Sequence, residues 1–164
     1  MLTAAHCIHL NAKFEIIVGE HDRTNSSDGT RHEVCGSSIH PRYLRRAYGA
    51  PTHDFAMVQL KTPVQISHRA NPACLPKVSW GGDFLDGKNM TVSGWGTLAS
   101  KGEQPTELHG VNVPGVPFAQ CEEAYKGNLT IPESVLGSMM CAGDVAEGGI
   151  DSCQGDSGGK FLEK

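Results

Sequence analysis

The sequence predicts an all-β fold. Four short segments are rich in β-branched residues or alternate apolar with polar residues, as half-buried strands do; they span 14–18, 54–60, 90–94 and 108–113. The chain holds 20 glycines and 9 prolines in 164 residues, and helix signals are scarce. Short strands separated by Gly- and Pro-containing turns are typical of a β-sandwich or β-barrel.

Turn signals separate these strands in chain order. Ser-Ser-Asp-Gly at 26–29 follows the first strand, and Asn-Pro at 71–72 follows the second. Gly-Gly-Asp at 81–83 precedes the third strand, and Gly-Gly at 148–149 comes after the fourth. Two short helices are predicted over 117–125 and 132–139, because each begins with a proline, which is favoured at the start of a helix.

Composition excludes several classes of protein. The 14 basic and 18 acidic residues give a net charge of −4, whereas a nucleic-acid-binding protein carries a basic patch. No stretch approaches the roughly 20 apolar residues that cross a bilayer, and no signal peptide precedes the first strand. We therefore expect no nucleic-acid partner and no membrane association, in a chain whose length suits one domain.

Six scattered cysteines predict an oxidising compartment. They contain no Cys-x-x-Cys pair, so a zinc ribbon or thioredoxin-type site is not indicated. Three Asn-x-Ser/Thr sequons, which begin at Asn25, Asn89 and Asn128, agree with an extracellular glycoprotein. The cysteines and sequons indicate a secreted protein, but the sequence has no signal peptide. We therefore expect that the chain is incomplete at its start.

The segment 151–159, Asp-Ser-Cys-Gln-Gly-Asp-Ser-Gly-Gly, predicts a nucleophilic serine. Ser157 needs a base and backbone donors for a developing oxyanion, and glycines beside it let the chain turn tightly and a substrate approach. A Gly- and Ser-rich surface loop is the alternative interpretation.

Two further residues complete a candidate catalytic group. His6 lies in Leu-Thr-Ala-Ala-His-Cys, and Asp54 begins an apolar segment. Alone, His6 could be a satisfied core histidine and Asp54 a turn residue at a strand edge. Together with Ser157 they supply the base, the orienting carboxylate and the nucleophile of a triad. We therefore expect His6 within hydrogen-bond reach of both Asp54 and Ser157.

These strings resemble those of the trypsin-like serine proteases of the chymotrypsin family, in which the triad has the same His, Asp, Ser order. Ser-Gly-Trp-Gly at 93–96 and Met-Cys-Ala-Gly at 140–143 are also similar. The resemblance implies an incomplete chymotrypsin-like double β-barrel with short helices. The remainder of the first barrel would cover about 1–75, and a linker with part of the second about 76–164.

The resemblance also implies a role for each site residue. His6 would be the general base and acid, Asp54 the orienting carboxylate and Ser157 the nucleophile. The backbone N–H groups of Gly155 and Ser157 would form the oxyanion hole. Asp151 would lie at the floor of the specificity pocket and favour Arg or Lys side chains in the substrate.

Four cysteines and one aspartate depart from the family pattern. Cys121 and Cys141 resemble a family disulfide, but the family partners of Cys7, Cys74 and Cys153 are absent from the sequence, and Cys35 has no family counterpart. Asp156 resembles the aspartate that pairs with a new N-terminal ammonium, and it would need another partner here. The resemblance therefore predicts a fragment, and we expect the 164-residue chain alone to hydrolyse an arginine substrate poorly or not at all.

Metal binding is not predicted, although one loop leaves calcium open. Glu20, Asp22, Asp28 and Glu33 fall in a region that binds calcium in many trypsins. A solvated acidic turn is the alternative, because calcium needs six or more oxygen ligands and few are available here. The eight histidines show no zinc-ligand spacing.

The predicted function is that of a secreted serine endopeptidase that cleaves after Arg or Lys by acyl transfer. Its partners would be polypeptide substrates and protein protease inhibitors, and it would act as a monomer without a cofactor. The alternative is a non-catalytic, protease-like binding module. All three triad residue types are present, which favours descent from an active enzyme.

Overall fold

The computed structural model describes residues 1–8, 13–45, 50–80, 84–127, 139–149 and 151–163. Within these ranges the chain forms mostly strands, so the all-β prediction is confirmed. The strands are β1 (Leu2–Thr3), β2 (Glu15–Val18), β3 (Thr30–Ile39), β4 (Ala56–Leu60), β5 (Asn89–Gly94), β6 (His109–Val116), β7 (Cys141–Ala142) and β8 (Phe161–Glu163). One α-helix, α1 (Phe118–Ala124), and two 3₁₀ turns, Ala5–Cys7 and Val78–Trp80, accompany them.

The strands form two antiparallel sheets. The first has the order β1-β4-β3-β2 and the second β7-β6-β5-β8. Strands from early in the chain make the first sheet and strands after residue 88 make the second. The division of the chain at about residue 75 stays a prediction.

Buried and exposed side chains alternate along β4 in the first sheet. Ala56 and Val58 are buried, whereas Met57 between them is 56% exposed. The buried residues pack with Ala5, the first residue of the first 3₁₀ turn, and with Ile8, which follows that turn. This packing holds the turn against the end of β4, where β1 pairs Thr3 with Ala56.

In the second sheet, too, the buried residues of a strand lie two positions apart. Met90 and Val92 of β5 are buried, as is Val113 of β6 opposite Met90. Strand β8 pairs with the other edge of β5. That pairing carries the segment 151–159, which lies just before β8, towards the first sheet.

The predicted helix over 117–125 is confirmed by α1, which begins after Pro117. The predicted helix over 132–139 falls almost wholly outside the described residues. A disulfide joins Cys121 of α1 to Cys141 of β7, with Cα atoms 6.0 Å apart and 20 residues between them in sequence. This is the pair that the family resemblance implied, and a loop of this length contributes about 3 kcal/mol in the chain-entropy treatment.

A short loop, residues 21–23, connects the two sheets. The Arg23 N–H donates to the Thr106 carbonyl at 2.9 Å, and the Leu108 N–H donates to the His21 carbonyl at 2.8 Å. The Trp95 indole N–H donates to the same His21 carbonyl at 3.1 Å. The loop after β2 is therefore bonded to the residue that follows β5 and to the chain entering β6.

Candidate active site

His6 lies in the middle of the 3₁₀ turn Ala5–Cys7. Ala5 is 1% exposed and Ile8 9%, so the backbone on both sides of His6 is anchored in the first core. The His6 side chain itself is 40% exposed. A fixed backbone with an accessible ring suits a residue that must meet a substrate.

Asp54 holds both the ring and the backbone of His6. One carboxylate oxygen, Oδ2, lies 2.6 Å from His6 Nδ1, and the other, Oδ1, accepts the His6 backbone N–H at 2.8 Å. The hydrogen bond expected between these two side chains is therefore present. Because a carboxylate can only accept, Nδ1 carries the hydrogen, and in the neutral ring Nε2 is left as the acceptor.

A turn before β4 directs Asp54 towards His6. His53 has a φ of 50°, which is unusual for a residue other than glycine. Its ring stacks on His40 with centroids 4.9 Å apart and planes 4° from parallel, and the Phe55 N–H donates to the His53 carbonyl at 2.8 Å. The sequence prediction missed this role of His53, because a positive φ has no signal in the residue type beyond the mild tolerance of histidine for it.

Ser157 lies against the His6 turn. The Cys7 thiol donates to the Ser157 carbonyl at 3.6 Å, and Gly158, at φ 80°, lies so close to Thr3 and Ala4 that a Cβ would collide with them. Ser157 is exposed. Within the described ranges the Ser157 hydroxyl makes no hydrogen bond with His6, so the structure brings the two segments together without the second expected bond.

The Cys7 thiol next to this contact is held in its protonated form. Partial burial is the larger cause that raises the pKa of Cys7, and the negative charge of Asp54 adds to it. A neutral thiol can donate to the Ser157 carbonyl, whereas a thiolate could not. Cys7, Cys35, Cys74 and Cys153 are all free thiols in this structure.

Asp156 finds its partners in the backbone. Oδ1 accepts the Gly96 N–H at 2.8 Å, and Oδ2 accepts the Cys153 N–H at 2.9 Å. The expected need of Asp156 for a replacement partner is therefore met by two amides, and this contact fixes the loop that carries Ser157 to the end of β5.

Glycines make the Asp156 contact sterically feasible. A Cβ at either Gly94 or Gly96 would overlap the Asp156 carboxylate. Gly155, at φ 104°, packs its own backbone against Gly96. The Gly-x-Gly spacing at 94–96, part of a string noted above only for its resemblance, was the sequence signal for this Asp156 contact.

We predict that Gly96→Ala destabilises the protein by about 1–3 kcal/mol, because the added methyl group must displace the carboxylate of Asp156. Urea unfolding measures the free-energy difference. The control is Gly110→Ala on β6, where a Cβ would meet nothing closer than 3.6 Å. Equal unfolding free energies for the two variants would contradict the packing described here.

Asp151 is exposed and lies beside a cavity of about 450 Å³ between α1, β7 and the loop 143–149. The cavity is lined by Val116, Tyr125, the Cys121–Cys141 disulfide and Gly148, with Asp151 at its margin. The Asp151 carboxylate accepts the Ser152 N–H at 2.7 Å. One carboxylate oxygen, Oδ1, therefore has an internal partner, and among the described residues the other accepts no hydrogen bond.

Two of the four carboxylates in the acidic loop considered for calcium pair with basic side chains. Asp28 accepts the N–H groups of His21 and Asp22, both at 2.8 Å, and pairs with the Arg69 guanidinium at 2.7 Å. These contacts, the two backbone bonds first, lower the pKa of Asp28. Glu33 pairs with Lys61 at 2.8 Å. Over the residues that the structure describes, no three His, Cys, Asp or Glu side chains converge as metal ligands.

The comparisons with known proteins decide the family. The Trypsin family model matches residues 1–164. The chain belongs to the trypsin family of serine proteases. The all-β, two-sheet structure agrees with this assignment, and the candidate triad residues lie where the two sheets meet.

Several trypsin-family relatives match nearly the whole chain. Coagulation factor IX of Cavia porcellus is 34% identical over 163 residues, and the serine proteinase stubble of Drosophila melanogaster is 34% identical over 167 residues. A venom serine protease of Bombus ignitus is 33% identical over 170 residues. Each alignment covers 99% of this chain but only 54%, 20% and 44% of the respective relative.

A solved trypsin-family structure has the same fold. Neuropsin, a serine protease expressed in the limbic system of mouse brain, superposes with a TM-score of 0.78 at 30% sequence identity. The superposition covers 99% of this chain and 67% of the neuropsin chain. The chymotrypsin-like double β-barrel architecture is thereby confirmed.

Proposed function

We propose that this protein is a secreted serine endopeptidase that cleaves polypeptides after Arg or Lys by acyl transfer. The observation that carries the proposal is the double contact of Asp54 with His6, with the Ser157 loop packed on the same turn. Membership of the trypsin family supports hydrolysis of peptide bonds as the reaction, and the contacts of His6, Asp54 and Ser157 support the role of each residue in it.

In the proposed reaction His6 acts first as a base. Its Nδ1 hydrogen is bound to Asp54, so Nε2 is the atom that accepts the Ser157 hydroxyl proton. The Ser157 oxygen then attacks the scissile carbonyl, and His6 returns the proton to the leaving amine. A water molecule then gives a proton to His6 and attacks the acyl carbonyl. The bond to the Ser157 oxygen breaks, and His6 returns the proton to that oxygen.

The developing oxyanion would be bound by the backbone N–H groups of Gly155 and Ser157. The Asp156 bonds to Gly96 and Cys153 support this role, because they fix the backbone on both sides of Gly155. Donors that are held before the reaction do not have to reorganise as charge develops. The two hydrogen bonds of the Asp156 carboxylate would therefore stabilise the transition state indirectly, by fixing the oxyanion-hole backbone.

Asp151 would select the substrate. Its carboxylate is exposed at a cavity with an apolar lining, which suits the methylene stem of Arg or Lys, with the charged end next to the carboxylate. The chain spans about half the length of factor IX. The proposed substrate and specificity therefore rest on the residues of the site and not on that relative.

We further propose that the protein is extracellular and monomeric, with protein protease inhibitors as partners and no nucleic-acid or membrane partner. The Cys121–Cys141 disulfide supports an oxidising compartment. No described helix is both long and apolar enough to cross a membrane. For the protease we propose no cofactor, because the acidic loop binds Arg69 and backbone amides.

Covalent labelling tests the proposal. The protein is expressed from its gene in eukaryotic cells and treated with a fluorophosphonate that reacts only with activated serines, and the modified residue is mapped by mass spectrometry. We expect labelling at Ser157, absent in His6→Ala, and peptide products that end in Arg or Lys. A folded protein with no label at Ser157 would instead favour the non-catalytic binding module.

A further inference from the structure

The loop between β2 and β3 contains the Asn25-Ser26-Ser27 sequon, in which the first and third residues are hydrogen-bonded to each other. The Ser27 hydroxyl donates to Asn25 Oδ1 at 2.7 Å, and the Ser27 backbone N–H donates to the same oxygen at 3.1 Å. Asn25, Ser26 and Ser27 are all exposed. The third residue of the sequon thus already contacts the amide group of the first.

This geometry leaves the nucleophilic atom accessible. Both hydrogen bonds from Ser27 engage the amide oxygen, so Nδ2 of Asn25 points away from them and, among the described residues, donates to no acceptor. The backbone on either side is fixed, because the Asn25 N–H donates to the Asp22 carbonyl at 3.1 Å and the Asp28 N–H to the Asn25 carbonyl at 2.9 Å. The loop therefore presents one amide nitrogen on a rigid turn.

The second sequon, Asn89-Met90-Thr91, has a different setting, although Asn89 is exposed like Asn25. It lies within β5, where Met90 is 1% exposed and Thr91 pairs with Asn112 on one side and Leu162 on the other. The Thr91 hydroxyl donates across the sheet to Asn112 Oδ1 at 2.9 Å. It therefore contacts the neighbouring strand rather than Asn89. The third sequon, at Asn128, lies outside the described residues.

We propose that Asn25 is an N-glycosylation site and that Asn89 is not. The donor would be an oligosaccharide linked to a lipid diphosphate, transferred by an oligosaccharyltransferase. Asn25 Nδ2 attacks the anomeric carbon, so a C–N bond forms and the C–O bond to the diphosphate breaks. The lipid diphosphate leaves with the bonding electron pair, and Nδ2 loses one proton.

Glycopeptide mapping tests the proposal. The protein is expressed from its gene in a glycosylating eukaryotic cell line, behind an added cleavable secretion signal, so that the result does not depend on the proposed localisation. Asn128→Gln is present throughout, which limits the signal to Asn25 and Asn89. We expect release of the glycan by an N-glycan amidase to convert Asn25 to aspartate and to leave Asn89 unchanged.

Two adjacent serines provide matched variants. We expect Ser27→Ala to lose the glycan and Ser26→Ala to keep it, although both remove one hydroxyl from the same exposed turn. Ser27→Thr should keep the glycan, which shows that a change at this position is tolerated. An unmodified Asn25 in the secreted protein, or a glycan on Asn89 in its place, would overturn the proposal; neither result bears on labelling at Ser157.

Discussion

Ser157→Ala is expected to lower kcat for a peptidyl-arginine amide by about 10⁶-fold, because the residual rate then comes only from substrate binding and oxyanion stabilisation. His6→Ala should cost a similar factor, since the serine hydroxyl then has no base. Asp54→Asn should cost about 10⁴-fold, because an amide facing Nδ1 favours the wrong tautomer of His6. Steady-state hydrolysis by the protein expressed from its gene, rather than by the 164-residue chain alone, measures all three losses.

The variants at these three positions should be grossly non-additive. If the residues act as one unit, the His6→Ala and Ser157→Ala double variant should be no slower than either single variant. Ser37→Ala on β3 and His109→Ala on β6 are controls of the same residue types at exposed positions in strands. Independent, multiplicative losses at His6 and Ser157 would be inconsistent with a triad.

Asp151→Ser is expected to lower kcat/KM for arginine substrates by roughly 10²–10⁴-fold, since a charged group left unpaired in a site costs about 3–5 kcal/mol. Activity on substrates with an apolar residue at the same position should fall far less, so the ratio of the two kcat/KM values is the measurement. A lower ratio would indicate a loss of specificity for arginine, whereas a general loss of catalysis would leave the ratio unchanged.

Asp144→Ser provides the comparison for Asp151. Asp144 lies in the loop 143–149 and, like Asp151, lines the cavity, but its carboxylate accepts the N–H groups of Ala146 and Glu147 at 2.9 and 3.0 Å. These backbone bonds lower its pKa and hold it within the loop. We expect Asp144→Ser to keep the preference for arginine. If both variants lost that preference equally, the role of Asp151 would have to be abandoned.

Strand positions were predictable from alternation, but their exact bounds were not. The apolar pattern predicted a strand over 54–60, whereas β4 begins at Ala56. The first two residues belong to the turn at His53, and Asp54 bonds to His6 instead of entering the ladder. A contact 48 residues distant in sequence therefore decides where the strand begins, and local periodicity contains no such information.

The site was predictable in its residue types and less so in its supports. His6, Asp54 and Ser157 stand in distinctive local strings, so the sequence singles them out. The partners of Asp156 are backbone amides of Gly96 and Cys153, and every residue except proline offers such a donor. Which amides are used depends on how β5 and the loop after Cys153 approach each other, and that follows only from the folded sheet.

The double contact between Asp54 and His6 also has a consequence for entropy. One carboxylate restrains the main chain and the imidazole torsions of the same residue, so the ring loses its rotational freedom once, as the chain folds. Ordering a side chain costs up to about 2 kcal/mol. In the proposed enzyme that cost is met by the free energy of folding, and no part of it recurs with each turnover.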